Sequence, residues 1–237
     1  IEATLEGIPQ WVDLVIVVDD SSSDLTRARA REIGNENRKI RVLSLNAQVG
    51  PGGAIMKGYE AFYKDGTCDI IAVMAGDNQM SPHDLPNLLD PICDTDAAYV
   101  KGTRFQHADL HSVMPFTRYI GNRVLSWVTG LISGYADLED AQCGYTSIQK
   151  DLLGPILRNG LVTGYGLPNA ILVFLGALGT PMSQVPVRPI YRDEESGLNF
   201  FTVLKVYPML LIRTWWSKQR MSIASPPSSN SGASTAL

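Results

Sequence analysis

Three cysteines, three histidines and no long apolar run define this 237-residue chain first by what it excludes. Cys68, Cys93 and Cys143 stand far apart with no C-x-x-C pair, so neither a zinc site nor a disulfide framework is indicated; three small buried hydrophobes in a reducing compartment are expected. His83, His107 and His111 read as loop or helix-start residues rather than ligands. No stretch of eighteen apolar residues occurs, so no bilayer span is expected, and the amino end lacks a signal-peptide layout; the machinery is expected to face the cytoplasm. A net charge of -4 with interspersed signs offers no basic stripe, which sets nucleic acid aside as a partner. The two common phosphate-binding glycine patterns, G-x-G-x-x-G and the P-loop, are also missing.

What is present is an α/β pattern. Short runs rich in Val, Ile and Leu at 14–18, 40–45, 70–74 and 97–100 read as buried strands. Helical stretches at about 25–35, 53–63 and 82–92 alternate with them, which predicts a Rossmann-like, mostly parallel sheet flanked by helices. The third helix carries a start signal: Ser81 as N-cap, Pro82 at the first position, Asp84 as capping-box acid. Beyond Lys101 the alternation breaks, with helices expected at 117–132, 168–178 and 199–216, and strands at 145–149 and 182–187, as acceptor-side additions to a nucleotide-binding half. Residues 1–8 read as a helix end with no strand before it, implying a trimmed amino end, and the Pro/Ser-rich tail within 217–237 reads as disordered. Residues 1–216 are taken as one domain.

In open parallel sheets ligands bind beyond the strands' carboxyl ends, so the polar residues after each run are the candidates. Asp19 and Asp20, with Ser21, Ser22, Ser23 and Asp24, follow the first run, where the hydroxyls can cap the next helix. Asn46 through Gly53 follow the second, with Gly50, Gly52 and Gly53 allowing backbone N–H groups to approach an anion at a helix start. Asp77, Asn78 and Gln79 follow the third and suit a hard divalent cation such as Mg²⁺ or Mn²⁺. Taken singly, each of these is equally a capped turn.

Together they resemble family 2 inverting glycosyltransferases of the GT-A fold, in the polyprenyl-phosphate branch. Residues 17–26 are similar to the V-D-D-G-S-x-D-x-T block, with Ser21 where glycine is usual; 46–58 to N-x-G-x-G-x-A-x-x-x-G; and 77–79 to the end of D-x-D-x-Q. Gly102-Thr103-Arg104, Met114-Pro115 with Arg118 and Gly121-Asn122, Asp140 through Tyr145, and 186–196 follow in the family's order. The resemblance implies that Asp20 contacts the nucleotide, with Asp19, Ser22, Gly50, Gly53 and Asp77 completing donor binding. It implies that Asp77 and Gln79 hold Mg²⁺ or Mn²⁺ and that Arg104 and Arg118 neutralise phosphates. Asp140 and Gln142 would line the transfer site, and Arg192 and Ser196 would reach a phosphate. The pattern departs at Ala75, which replaces the first acid of D-x-D; at Gly197, where a lysine is usual; and at Pro168-Asn169-Ala170, where many relatives carry a catalytic acid.

A hydroxyl acceptor needs a general base, whereas an ionised phosphate does not. The expected activity is therefore inverting transfer of a hexose from a nucleotide-sugar donor to a polyprenyl or dolichyl phosphate, with mannose and glucose the candidate sugars. Residues 200–216 read as an interfacial helix for peripheral membrane contact or as a helix packed on the core. The competing readings are transfer to a sugar hydroxyl, a catalytically inactive nucleotide-sugar binder, and a nucleotidyltransferase.

Overall fold

A computed structural model describes residues 1–107, 110, 114–161, 164 and 166–190. The expected helix at 199–216, the tail, and Arg192 and Ser196 lie outside these residues. The described elements run α1 (Glu2–Glu6), β1 (Val15–Asp19), α2 (Thr26–Glu36), β2 (Ile40–Ser44), α3 (Gly50–Asp65), β3 (Ile70–Val73), a 3₁₀ turn (Pro82–Asp84), α4 (Leu85–Asp94) and β4 (Tyr99–Thr103). There follow α5 (Phe116–Ser133), β5 (Thr146–Gln149), α6 (Lys150–Asn159), α7 (Leu167–Ala177) and β6 (Met182–Pro186). Strands and helices alternate to β4, as the apolar runs predict.

β1 and β2 form a parallel pair, while the remaining strands make a mixed sheet in the order β3-β5-β4-β6. β4 and β6 are parallel; β5 lies antiparallel between β3 and β4, so the sheet is less uniformly parallel than the early alternation suggests. On one face α3, α6 and α7 bury Tyr59, Phe62, Leu153, Ile156 and Leu172 against Ile148. On the other, Leu85, Leu88 and Ile92 of α4 meet Val100 and Tyr145. Leu5, Ala30 and Ile40 form a smaller core over β1 and β2.

Several local expectations are corrected. α6 adds a helix where none was expected, across Gly154 and Pro155; Leu153 and Ile156, both wholly buried, supply the tertiary contact that holds it. The capping-box role of Asp84 does not form: Ser81 Oγ accepts from the His83 N–H, but the Asp84 carboxylate accepts from the Arg188 N–H instead, tying the α4 start to the segment after β6. The start of α2 is held by an acid, not a hydroxyl, with Asp24 Oδ1 accepting from the Thr26 N–H at 3.0 Å. Of the three cysteines only Cys143 is buried, and Cys93 is exposed.

Ser21 sits at φ 63°, in the left-handed region that costs an L-residue about 1–2 kcal/mol. The glycine usual at this place in the resembled motif has no such cost. Ser21→Gly is therefore expected to raise stability by about 1 kcal/mol, read by urea denaturation; a loss of stability would mean that the serine side chain contributes more than the backbone strain costs.

Candidate active site

The first two acids after β1 do different things. Asp19 is buried, with Oδ2 2.6 Å from Arg27 Nε and Oδ1 accepting from the Ser22 N–H at 3.2 Å. Burial pushes its carboxyl up, but the hydrogen bonds from Ser22 and Arg27 outweigh it and hold the pKa below the ordinary value. Asp20 turns to the next loop, its carboxylate accepting from the Val49 and Gly50 N–H groups at 2.7 and 2.8 Å. The start of α3, where glycines suggested an anion site, is thus met by the protein's own anion. Gly50 has φ 77°, which favours glycine, and a Cβ on Gly52 would lie 2.3 Å from the Gly164 carbonyl oxygen. Gly53 lies against the Val49 side chain. These glycines shape the loop as well as leaving it open.

Asp77 is exposed after β3, and its Oδ1 accepts from the Gln79 N–H at 2.9 Å across a turn in which Asn78 takes φ 62°. Asp19, Ser22 and Asp77 line one cleft, so the first and third clusters do reach the same edge, while Asp20 is not among the lining residues. Among the described residues no three His, Cys, Asp or Glu side chains gather as a metal cage. The donor set nevertheless fits a hard cation: Asp77 offers one exposed carboxylate, and Mg²⁺-type ions commonly pair one or two carboxylates with substrate phosphates.

The turn ahead of β5, a candidate acceptor side, is built around charge. Asp140 is wholly buried and takes Arg104 in a fork, Nε to Oδ2 at 2.7 Å and Nη2 to Oδ1 at 2.9 Å, with the Arg104 and Cys143 backbone N–H groups also donating to it. Burial pushes its carboxyl up, yet the Arg104 charge and hydrogen bonds, with Lys101 nearby, hold it below the ordinary value. Such a carboxylate is a poor base. Lys101, which sequence reasoning passed over, is wholly buried on β4, donates from Nζ to the Cys143 carbonyl at 2.5 Å, and has its pKa lowered by burial. A lysine inside an apolar strand directly before Gly102-Thr103-Arg104 was the available signal. Glu139, also passed over, is half-buried and accepts from Thr103 Oγ1 and Gln106 Nε2.

Asn169, in the stretch that lacks the expected acids, is wholly buried, and its Oδ1 accepts from Thr129 Oγ1 and Gln142 Nε2, both at 3.3 Å. Among the described residues its Nδ2, a buried donor, has no hydrogen-bond partner. Arg118 is half-buried near the start of α5. The acceptor turn also touches the Asp77 loop: Met80 Sδ accepts from the Ala75 N–H, its methyl group lies against Gly144, and the Tyr145 hydroxyl donates to the Ser81 carbonyl at 2.8 Å. Donor-side and acceptor-side candidates are therefore joined through Met80 and Tyr145.

Residues 3–142 match the sequence profile of Glycosyl transferase family 2, and the chain belongs to that family. It is 27% identical over 214 residues to UDP-N-acetylglucosamine–dolichyl-phosphate N-acetylglucosaminyltransferase of Methanococcus voltae, covering 84% of each chain. It is 28% identical over 183 residues to undecaprenyl-phosphate mannosyltransferase of Micrococcus luteus, covering 76% of this chain and 72% of the relative. Its fold is similar to that of glucosyl-3-phosphoglycerate synthase of Mycobacterium tuberculosis, crystallised with Mn²⁺, UDP and phosphoglyceric acid. The TM-score is 0.64 at 21% identity, covering 92% of this chain and 73% of that one.

Asp140→Asn leaves the partly exposed Arg104 without its counter-charge and removes a wholly buried carboxylate from four hydrogen bonds, which should cost about 3 kcal/mol of stability in denaturant unfolding. The sign of the pH dependence follows from the lowered pKa. The pair's contribution is complete above the unfolded carboxylate value of about 4 and is lost as pH falls through the lower folded value. Stability of Asp140→Asn should accordingly fall less steeply than wild type on acidification below about pH 4; equal slopes would show that this carboxylate is not the linked group.

Proposed function

We propose that this chain moves a hexose from a nucleotide-sugar donor to the phosphate of a polyprenyl or dolichyl lipid, with inversion at the anomeric carbon. The observation that carries the choice of acceptor is Asn169. A neutral amide, held by Thr129 and Gln142, stands in the stretch where a proton acceptor would be needed to activate a sugar hydroxyl. An ionised phosphate oxygen attacks without surrendering a proton. The Methanococcus and Micrococcus relatives, named for dolichyl-phosphate and undecaprenyl-phosphate, support the same acceptor class.

In this reading Asp19 and Asp20 hold the β1 and α3 loops in the shape that receives the nucleotide, with Ser22, Gly50 and Gly53 at its border. Asp77, with Gln79 beside it, would hold Mg²⁺ or Mn²⁺ against the donor diphosphate, where the cation neutralises charge on the leaving group. Arg104, kept in place by Asp140 and backed by the Lys101 charge, presents its partly exposed guanidinium to phosphate, together with Arg118 and Arg192. Gln142 and Ser196 line the acceptor side. Glu139 is the observation that favours the alternative of a hydroxyl acceptor, since it is a half-buried carboxylate beside Arg104's strand end.

A lipid acceptor makes a membrane-facing surface useful, and α5 offers one. Phe116, Ile120, Val124, Trp127 and Leu131 recur at three- and four-residue spacing and are all exposed, while Ser126, Thr129 and Ser133 face inward. The helix carries Arg118 and Arg123 and no acid, a composition suited to an anionic lipid surface. Among the described residues no helix is long and apolar enough to cross a membrane. Membrane contact is thereby assigned to α5, in addition to the residues 200–216 named from sequence.

The function is tested by offering labelled nucleotide sugars with either undecaprenyl phosphate or neutral saccharides as acceptor. A lipid-phosphate-linked sugar is the expected product, and efficient glycosylation of a neutral saccharide with the lipid phosphate inert would overturn the acceptor. Asp77→Ala should lower transfer at least about a hundredfold. Its unfolding midpoint should remain that of wild type, because the residue is exposed; wild-type turnover with metal present would remove Asp77 from the site. Trp127→Ser should weaken co-sedimentation with phosphatidylglycerol vesicles severalfold and leave the fold unchanged; unchanged sedimentation would show that α5 does not meet the lipid.

A further inference from the structure

Residues 137–143, between α5 and β5, belong to no helix or strand, so backbone groups of this turn that leave water need side chains as partners. Several elements supply them. The Ala141 N–H donates to Ser126 Oγ of α5 at 2.9 Å, the Cys143 carbonyl accepts from Lys101 Nζ, and the Cys143 N–H donates to Asp140 Oδ1 at 3.1 Å. One side chain serves two groups at once. Gln184 of β6 accepts from the Glu139 N–H through Oε1 at 2.8 Å and donates from Nε2 to the Asp137 carbonyl at 2.9 Å.

Gln184 reaches the turn because of its register. In the parallel β4–β6 pair it stands beside Lys101, and side chains of paired residues leave the same face of a sheet. Strand alternation puts Tyr99, Lys101 and Thr103 on that face of β4, and Met182 and Gln184 on the same face of β6. Tyr99 and Met182 pack in the core under α3, α6 and α7. Lys101, Thr103 and Gln184, nearer the carboxyl ends, take polar partners in the turn instead.

These three residues hold the turn on both sides of Asp140. Before it, Gln184 fixes the backbone at Asp137 and Glu139, and Thr103 Oγ1 donates to the Glu139 carboxylate at 2.9 Å. After it, Lys101 fixes Cys143. Leu138, between the two residues that Gln184 holds, is buried in the same core. Asp140 therefore meets Arg104 from a backbone anchored at both ends. A carboxamide presents a donor and an acceptor from one planar group; an ionised carboxylate has no donor, and a thioether of the same reach is only a weak acceptor.

We propose that Gln184 is a positioning residue for the transfer site: its carboxamide sets the course of residues 137–139, and through them the place of the Glu139 carboxylate and of the Asp140–Arg104 fork. Its hydrogen bonds go to the backbone of the turn, so it acts through these residues and not on the reacting groups. The consequence for transfer rests on the proposed function; the hold on the fork does not.

The test compares wild type with Gln184→Met, which keeps the reach of the side chain and removes the donor, and with Gln184→Glu, which keeps an acceptor for the Glu139 N–H. Hydrogen exchange of the Arg104 and Cys143 amides, whose N–H groups donate to Asp140, reads the fork without any acceptor substrate. It should quicken about tenfold in Gln184→Met while the amides of β1 and β2 stay as in wild type. In the same variant kcat for transfer should fall about ten- to a hundredfold with KM for the nucleotide sugar within about twofold, because the donor candidates lie on other strands. Gln184→Glu should lie between Gln184→Met and wild type in both measurements. Transfer is assayed with whichever acceptor wild type glycosylates, undecaprenyl phosphate or a saccharide, so loss of the lipid-phosphate reading leaves the comparison standing. Unchanged exchange at Arg104 and Cys143 overturns the proposal, even where the unfolding midpoint falls. An unchanged kcat, or a fall in kcat matched by an equal rise in KM for the nucleotide sugar, overturns it as well.

Discussion

The fork between Arg104 and Asp140 is the interaction on which the candidate site depends. It fastens the carboxyl end of β4 to the turn that leads into β5, and the buried Asp140 carboxylate also gathers the backbone of Arg104 and Cys143. The Lys101 ammonium donates to the same turn from within β4. A wholly buried carboxylate would be costly without this complete set of hydrogen bonds. Held together, they fix the Arg104 guanidinium at the candidate site. Met80 and Tyr145 then carry that turn onto the Asp77 loop, so the position of the donor candidates follows from the same pair.

The early part of the fold was legible because its signals are local. Runs at 14–18 and 40–45 give β1 and β2 to within one residue, and α3 and α5 follow their apolar periodicity. α6 was not legible, since what holds it across Gly154 and Pro155 is the tertiary burial of Leu153 and Ile156. Side-chain partners were harder still. Asp84 reads as a capping-box acid and Asp20 as a strand-end acid, yet one takes the Arg188 N–H, 104 residues away, and the other closes onto Val49 and Gly50. Such pairings depend on tertiary geometry, which spacing does not encode.

The same distinction holds for the candidate site. Motif order was enough to name Asp77, Arg104 and Asp140, and membership of Glycosyl transferase family 2 agrees with that order. It did not separate an acid that holds an arginine from one that handles a proton, because the difference lies in burial and in which oxygens are engaged. Asp140 has both oxygens engaged in the interior, whereas Glu139 next to it reaches Thr103 and Gln106 from a half-buried position. Lys101 was overlooked because a lysine in a strand reads as an edge or solvent residue until the strand is known to be covered on both faces.

The central claim is that the acceptor brings its own ionised oxygen and the protein supplies charge stabilisation rather than a base. It is tested most directly by the pH dependence of kcat/KM with undecaprenyl phosphate, measured in parallel for wild type and Glu139→Gln. The account predicts one rise following the second ionisation of the phosphate, at about pH 6, then a plateau, with the same profile in both proteins. A rising limb present in wild type and abolished in Glu139→Gln would contradict it and identify Glu139 as the base.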